Sequence, residues 1–144
     1  MRIGVWGAGH LGKIHLRILK ELDAFELVGF FDASEEVRRT VSESLGVKAY
    51  DSSDVLLEEV DCADIVTPTL YHYEYASAAV RRFKHVFVEK PFTDNVKEAR
   101  ILLDLAHEAK VMIQVGHVER FNPAFSAALP YLGKIGFIEG HRLA

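Results

Sequence analysis

Gly7-Ala8-Gly9-His10-Leu11-Gly12 decides how the rest of the chain is read. It follows a short apolar run, Ile3-Gly4-Val5-Trp6, and opens a helix-patterned segment from Leu11 to Leu22. The glycines therefore fall in a turn between a buried strand and the helix after it. Gly7 permits the tight turn, Gly9 leaves room for a closely approaching pyrophosphate, and Gly12 lets the helix pack against the strand. His10 and Leu11 sit at the helix start, whose free N–H groups and partial positive charge suit a diphosphate. A second apolar run, Phe25–Phe31, ends at Asp32, about 20 positions past the fingerprint, where a ribose-binding carboxylate is expected. The competing reading is a structural turn whose glycines serve packing alone.

Outward from that turn the chain alternates strand and helix. Strands are expected at Arg2–Trp6, Phe25–Phe31, near Val47–Tyr50, at Ala63–Thr67, Val86–Glu89 and Val111–Val115. The second is continuously apolar, as a strand covered on both faces should be. Helices are expected at His10–Leu22, from Ser34 to Gly46, from Ser52 or Ser53 to about Glu59, and at about Tyr71–Arg82. Asn95 and Glu98 have capping-box spacing for one more. This order predicts an α/β fold: a Rossmann-type, doubly wound parallel sheet with helices on both faces and right-handed crossovers. Such sheets bind ligands beyond the carboxyl ends of their strands. That rule selects Gly7–Gly12, Asp32, Thr67–His72, Glu89–Pro91 and Gly116–Pro123.

The unit is complete by Gly116. We expect a dinucleotide-binding domain over residues 1–122, and over 123–144 a bridge into a C-terminal substrate domain that is absent from the chain. Within the bridge, Pro123–Leu132 reads as a short helix and Gly136–Leu143 as the opening of a further strand.

A chain of 144 residues is one domain by length and can sustain a core. Its net charge of −4, with both signs dispersed, makes no case for nucleic acid or an anionic membrane as partner. The single cysteine, Cys62, excludes an internal disulfide and reads as a buried, inert thiol. No apolar run is long enough to span a membrane, and the first strand leaves no room for a signal peptide, so a cytoplasmic location is expected. The seven histidines make no metal site: His10 and His15, five apart, do not share a helix face.

Asp32 can accept both ribose hydroxyls of NAD and would repel the 2′-phosphate of NADP, so NAD is the expected cofactor in preference to NADP. Its other reading is a cap for the following helix, in competition with Ser34. In Thr67-Pro68-Thr69-Leu70-Tyr71-His72 the proline interrupts the ladder, and His72 falls in the first turn of a helix, where a neutral, hydrogen-bonding imidazole is expected. Glu89-Lys90-Pro91 places a lysine at the end of a buried strand, where it serves no packing need. There Lys90 could polarise a hydroxyl or exchange a proton, with Glu89 as its partner, or the two could be a surface ion pair. Arg120 and Asn122, after the sixth strand, suit a carboxamide, phosphate or sugar hydroxyl, or else belong to a solvated loop.

Taken in order, GAGHLG, the Asp32 turn, Thr67-Pro68…His72, Glu89-Lys90-Pro91 and Gly116-His117…Arg120-Phe121-Asn122-Pro123 resemble the N-terminal half of the Gfo/Idh/MocA oxidoreductase family. The EKP triplet is far more specific than the glycine motif. The resemblance implies an NAD(P)-dependent dehydrogenase or reductase of sugars, inositols or sugar nucleotides. It implies that Lys90 binds the reacting hydroxyl and helps its proton leave, and that Thr67, Pro68, His72 and Glu89 line the cofactor. GHVERFNP is most similar to the branch acting on the 3-hydroxyl of UDP-N-acetylglucosamine. The expected partners are thus a sugar or sugar-nucleotide substrate and, in a full-length form, further copies of the chain. The rival is a non-catalytic dinucleotide-binding module or NAD(H) sensor.

Overall fold

The computed structural model describes residues 1–134, 136, 137 and 139. Six parallel strands form one sheet: β1 (Arg2–Trp6), β2 (Glu26–Phe31), β3 (Ala49–Tyr50), β4 (Cys62–Ile65), β5 (His85–Glu89) and β6 (Ile113–Gly116). Their spatial order is β3-β2-β1-β4-β5-β6, so the chain reverses direction across the sheet between β1 and β4. The connecting helices are α1 (His10–Glu21), α2 (Glu35–Leu45), α3 (Ser53–Glu59), α4 (His72–Arg81) and α5 (Val96–Ala109), with a short α6 (Pro123–Ala128) after the sheet.

Alternation along each strand sends side chains to two separate cores. On one face Ile3, Val5 and Phe30 pack with Leu16 and Leu19 of α1 and Val41 of α2. On the other, Trp6, Ala63, Ile65, Val86 and Val88 pack with Leu56 and Leu57 of α3, Ala76, Ala79 and Val80 of α4, and Leu102 and Ala106 of α5. The sheet is therefore wound on both faces, as the alternation of elements predicts. Trp6 anchors the crossover as well: its Nε1 donates to Ser53 Oγ at 2.8 Å at the start of α3.

Local signals set the helix ends. Ser34 Oγ accepts the Val37 N–H, Glu35 and Glu36 occupy the positive first turn of α2, and Gly46 closes it at φ 62°. Asn95 Oδ1 accepts the Glu98 N–H at 3.0 Å at the start of α5. Several boundaries differ from expectation by one to three residues. β4 stops at Ile65, because Val66 and Thr67 already leave the sheet toward Pro68, and a 3-10 turn at Thr69–Tyr71 precedes α4. The helix expected over Pro123–Leu132 is α6 followed by a 3-10 turn at Leu129–Tyr131. The strand expected to open at Gly136 depends on Ile138 and residues 140–143, which lie outside the described residues. Among the described residues, no helix is long and apolar enough to cross a membrane.

Candidate functional site

The carboxyl ends of β1, β2 and β4 enclose a crevice of about 530 Å³. It lies where the strand order reverses, the position at which open α/β sheets bind ligands. Seven residues singled out in the sequence line it together: Gly7, Gly9, His10, Leu11, Asp32, Thr67 and Pro68. Phe31, Ala33, Ser34, Val66, Tyr71 and Tyr75 complete the wall.

The three glycines of the turn do different work. Gly7 has φ 94°, and a Cβ there would stand 2.8 Å from the Val66 carbonyl oxygen. A Cβ on Gly12 would lie 2.0 Å from the Gly7 carbonyl oxygen, so Gly12 fixes the approach of α1 to the turn. Gly9 is different. It is the N-cap of α1 at φ −66°, an ordinary backbone conformation, and among the described residues nothing lies within 4 Å of a Cβ built on it.

Asp32 is half-buried, and its carboxylate ties the two first turns of the fold together. Oδ2 accepts the Ala8 N–H at 2.8 Å and Oδ1 accepts the Ser34 N–H at 2.9 Å. Each oxygen keeps a further acceptor direction for a hydroxyl. The capping and ribose-binding readings of Asp32 are therefore compatible. Arg38, six residues on, does not open a phosphate site. Its Nη1 donates to the Asp32 carbonyl at 2.8 Å and its Nε lies 3.4 Å from Asp51.

Five expected site residues stand outside the crevice wall. Gly12 is buried in α1. His72 is fully buried, with Nε2 2.9 Å from the Thr67 carbonyl and Nδ1 2.8 Å from the Pro91 carbonyl. It thus braces the turn after β4 against the turn after β5. The neutral hydrogen-bonding imidazole expected there meets acceptors on both nitrogens, and a neutral ring donates to only one at a time. Lys90 is exposed, and the Lys90–Pro91 peptide is cis. Among the described residues Glu89 does not pair with the Lys90 ammonium. Its Oε2 accepts the Lys90 backbone N–H at 3.2 Å, and its Oε1 lies 3.6 Å from His15 Nε2. Arg120 is exposed on a 3-10 turn, Val118–Phe121, beyond β6.

Sequence reasoning missed the cluster behind Glu89. His15, on the second turn of α1, sets Nδ1 2.9 Å from Asp64 Oδ2 on β4 while Nε2 faces Glu89 on β5. Asp64 and Glu89 are 3% and 6% exposed. Burial pulls the His15 pKa down, but the hydrogen bond and charge of Asp64 and the charge of Glu89 outweigh it, and the net shift is upward. Burial pushes the Asp64 pKa up against the pull of His15. Burial, aided by the charge of Asp64, also pushes the Cys62 thiol up to about 11, which keeps it protonated and inert. The available signal was Asp64 itself, a carboxylate inside Cys62-Ala63-Asp64-Ile65-Val66, since a buried aspartate demands a partner. Tyr75 was also missed as a site residue; its ring meets Phe31 edge-on at 6.3 Å between centroids.

Similarity to known proteins agrees with this geometry. Residues 1–117 match the GFO_IDH_MocA family model, described as an oxidoreductase family with an NAD-binding Rossmann fold. The UDP-N-acetylglucosamine 3-dehydrogenase of Acidithiobacillus ferrooxidans is 39% identical over 100% of this chain and 46% of its own length. The myo-inositol 2-dehydrogenase of Thermotoga maritima is 36% identical over 87% of this chain and 38% of its own. The solved structure of the Acidithiobacillus enzyme, GnnA, superposes with TM-score 0.84 at 37% identity, covering 91% of this chain and 43% of that one. GenD2 from gentamicin A biosynthesis, solved in complex with NAD, superposes with TM-score 0.85 at 26% identity, over 91% of this chain and 38% of its own. The chain thus spans less than half the length of these relatives.

Proposed function

Because this chain belongs to the Gfo/Idh/MocA oxidoreductase family, with its NAD-binding Rossmann fold, we propose that it is the cofactor-holding part of an NAD-dependent dehydrogenase of sugar or nucleotide-sugar hydroxyls. The 3-hydroxyl of UDP-N-acetylglucosamine is the favoured target, supported by 39% identity to such an enzyme across all of this chain. When bound, NAD supplies the hydride acceptor. Gly7, Gly9 and the first turn of α1, with His10 and Leu11, hold the diphosphate. Asp32 accepts the adenosine ribose hydroxyls and disfavours a 2′-phosphate. Thr67 and Pro68 line the crevice, and Thr67 Oγ1, buried with no partner among the described residues, is a polar atom that a cofactor group can satisfy. Glu89 and His72 hold the backbone around Lys90, whose ammonium polarises the substrate hydroxyl and helps its proton leave. Arg120 contributes a cation beside the same rim. Residues 123–144 lead from the cofactor domain, 1–122, toward the part that holds the sugar. Exposed Phe125, Leu129, Tyr131 and Phe137 support a surface covered by further protein, a second copy in the complete form. A cytoplasmic location goes with this reading.

One observation carries the cofactor assignment. The fold does not ask for glycine at position 9. Its φ suits any residue, the space beside it is open, and an N-cap is better served by Ser, Asn or Asp. A missing side chain at that point is explained by a group that must approach the backbone closely. Calorimetric titration of Gly9→Ala tests this. Alanine is disfavoured at an N-cap by roughly 1 kcal/mol, so the variant should fold with only a small loss of stability. Crowding by one methyl typically costs about 1–3 kcal/mol, so NAD affinity should fall about tenfold to a hundredfold. Unchanged NAD affinity in a folded Gly9→Ala chain would overturn the assignment of this turn.

A further inference from the structure

We propose that His15 is a positioning residue for Lys90: it clamps Glu89 against β5, and Glu89 in turn holds the Lys90 backbone N–H. The role of Lys90 rests on the function proposed above; the clamp itself rests on geometry alone. Three elements meet at one imidazole. α1 delivers His15, β4 delivers Asp64 at 2.9 Å, and β5 delivers Glu89 at 3.6 Å. Phe87 adds an edge contact to the same ring, at 5.9 Å between centroids. Gly116 of β6 leaves Glu89 its room, since a Cβ there would stand 2.6 Å from Oε1, the oxygen that faces His15. Its second oxygen is the one that takes the Lys90 N–H, at 3.2 Å. A charged His15 therefore holds the Glu89 side chain in the position that fixes the start of the Lys90 turn. A neutral His15 leaves two buried carboxylates facing each other across an uncharged ring, and the hold on Glu89 weakens.

Other titratable groups face this corner. Cys62 and His85 line the same apolar recess beside α1, and His85 Nδ1 accepts the Met112 N–H. From α4, His72 reaches the Pro91 carbonyl. The Lys90 amide could therefore sense His72 or His85 instead, and the test must separate them.

Nuclear magnetic resonance on the 144-residue chain, without cofactor, does so. The ring signals of each histidine and the amide signal of Lys90 are followed through pH. In the unmodified chain the Lys90 amide should titrate along the His15 curve, with a midpoint above that of a free histidine. In Glu89→Gln, nearly the same shape, the Lys90 amide should lose that step while His15 still titrates. In Asp64→Asn the His15 and Lys90 curves should move together to lower pH. A Lys90 amide that is flat across the His15 titration, that follows His72 or His85, or that keeps its step in Glu89→Gln overturns the proposal. Should either variant fail to fold, the unmodified chain alone still separates the expected result, a Lys90 amide that follows His15, from the first two overturning ones. No NAD enters the experiment, so its failure is distinct from failure of the cofactor assignment.

Discussion

Asp32 holds the fold together and, in the proposed function, the ligand as well. Its carboxylate accepts the Ala8 and Ser34 N–H groups, so it joins the glycine turn to the start of α2 before any cofactor arrives. Asp32→Ala should therefore do two things at once. It should leave two backbone donors without their acceptor, at a cost of about 1–3 kcal/mol, visible in urea denaturation. It should also weaken NAD and narrow its margin over NADP, which we expect at roughly tenfold to a thousandfold in the unmodified chain. Stability loss without any change in the NAD-to-NADP ratio would leave Asp32 as a capping residue only. At this scale much of the candidate site was legible. A glycine triplet or a carboxylate after an apolar strand announces itself by type and spacing. His72 and Glu89 were legible as positions but not as contacts, because their partners are a backbone carbonyl and a histidine that lie 19 and 74 residues away in sequence.

Elements were legible where periodicity and caps agreed, as in α2 with Ser34 and Gly46 or α5 with Asn95. Their ends were not, where the backbone leaves the sheet for reasons of tertiary pairing. β6 begins at Ile113 although the apolar run begins at Val111, because pairing with β5 starts at Val86 opposite Ile113. α1 gives the sharpest test at this scale. Its Gly12 sits so near the Gly7 carbonyl that a methyl group cannot be accommodated without moving the helix. Gly12→Ala should cost at least about 1–3 kcal/mol by overpacking, whereas Gly9→Ala, three residues earlier, should cost much less. Thermal melts of the two variants side by side check this order. Equal stability of the two would mean that α1 slides freely on β1.

For the whole molecule, the doubly wound sheet was legible because strand and helix alternate without interruption. The charged cluster inside it was not, because it is assembled by three elements from distant parts of the chain. That cluster gives the fold a pH dependence of definite sign. The pKa of His15 is raised above its ordinary 6.5 in the folded chain. The folded state therefore binds this proton more tightly than the unfolded one. The associated stability is fully present below 6.5 and is lost as pH rises through the folded value. The urea midpoint should decline on the alkaline side of that point, and His15→Gln should flatten the decline. A midpoint that rises with pH there, or a slope unchanged in His15→Gln, would contradict this account.

Helix α1 has Gly9 as its N-cap, His10 and Leu11 in its first turn and His15 one turn further on. Six residues of α-helix span about 9 Å, short enough for charge at the first turn to be felt at the second. In the function proposed above, the diphosphate on that first turn is negative and favours the imidazolium form of His15. Reciprocity between two bound species then applies: whatever the cofactor does for the proton, the proton does for the cofactor. The chain should take up hydrogen ion as it takes up NAD, and should hold NAD less firmly in alkaline solution than in neutral. One rigid rod would then make a dinucleotide pocket answer to the acidity of its surroundings.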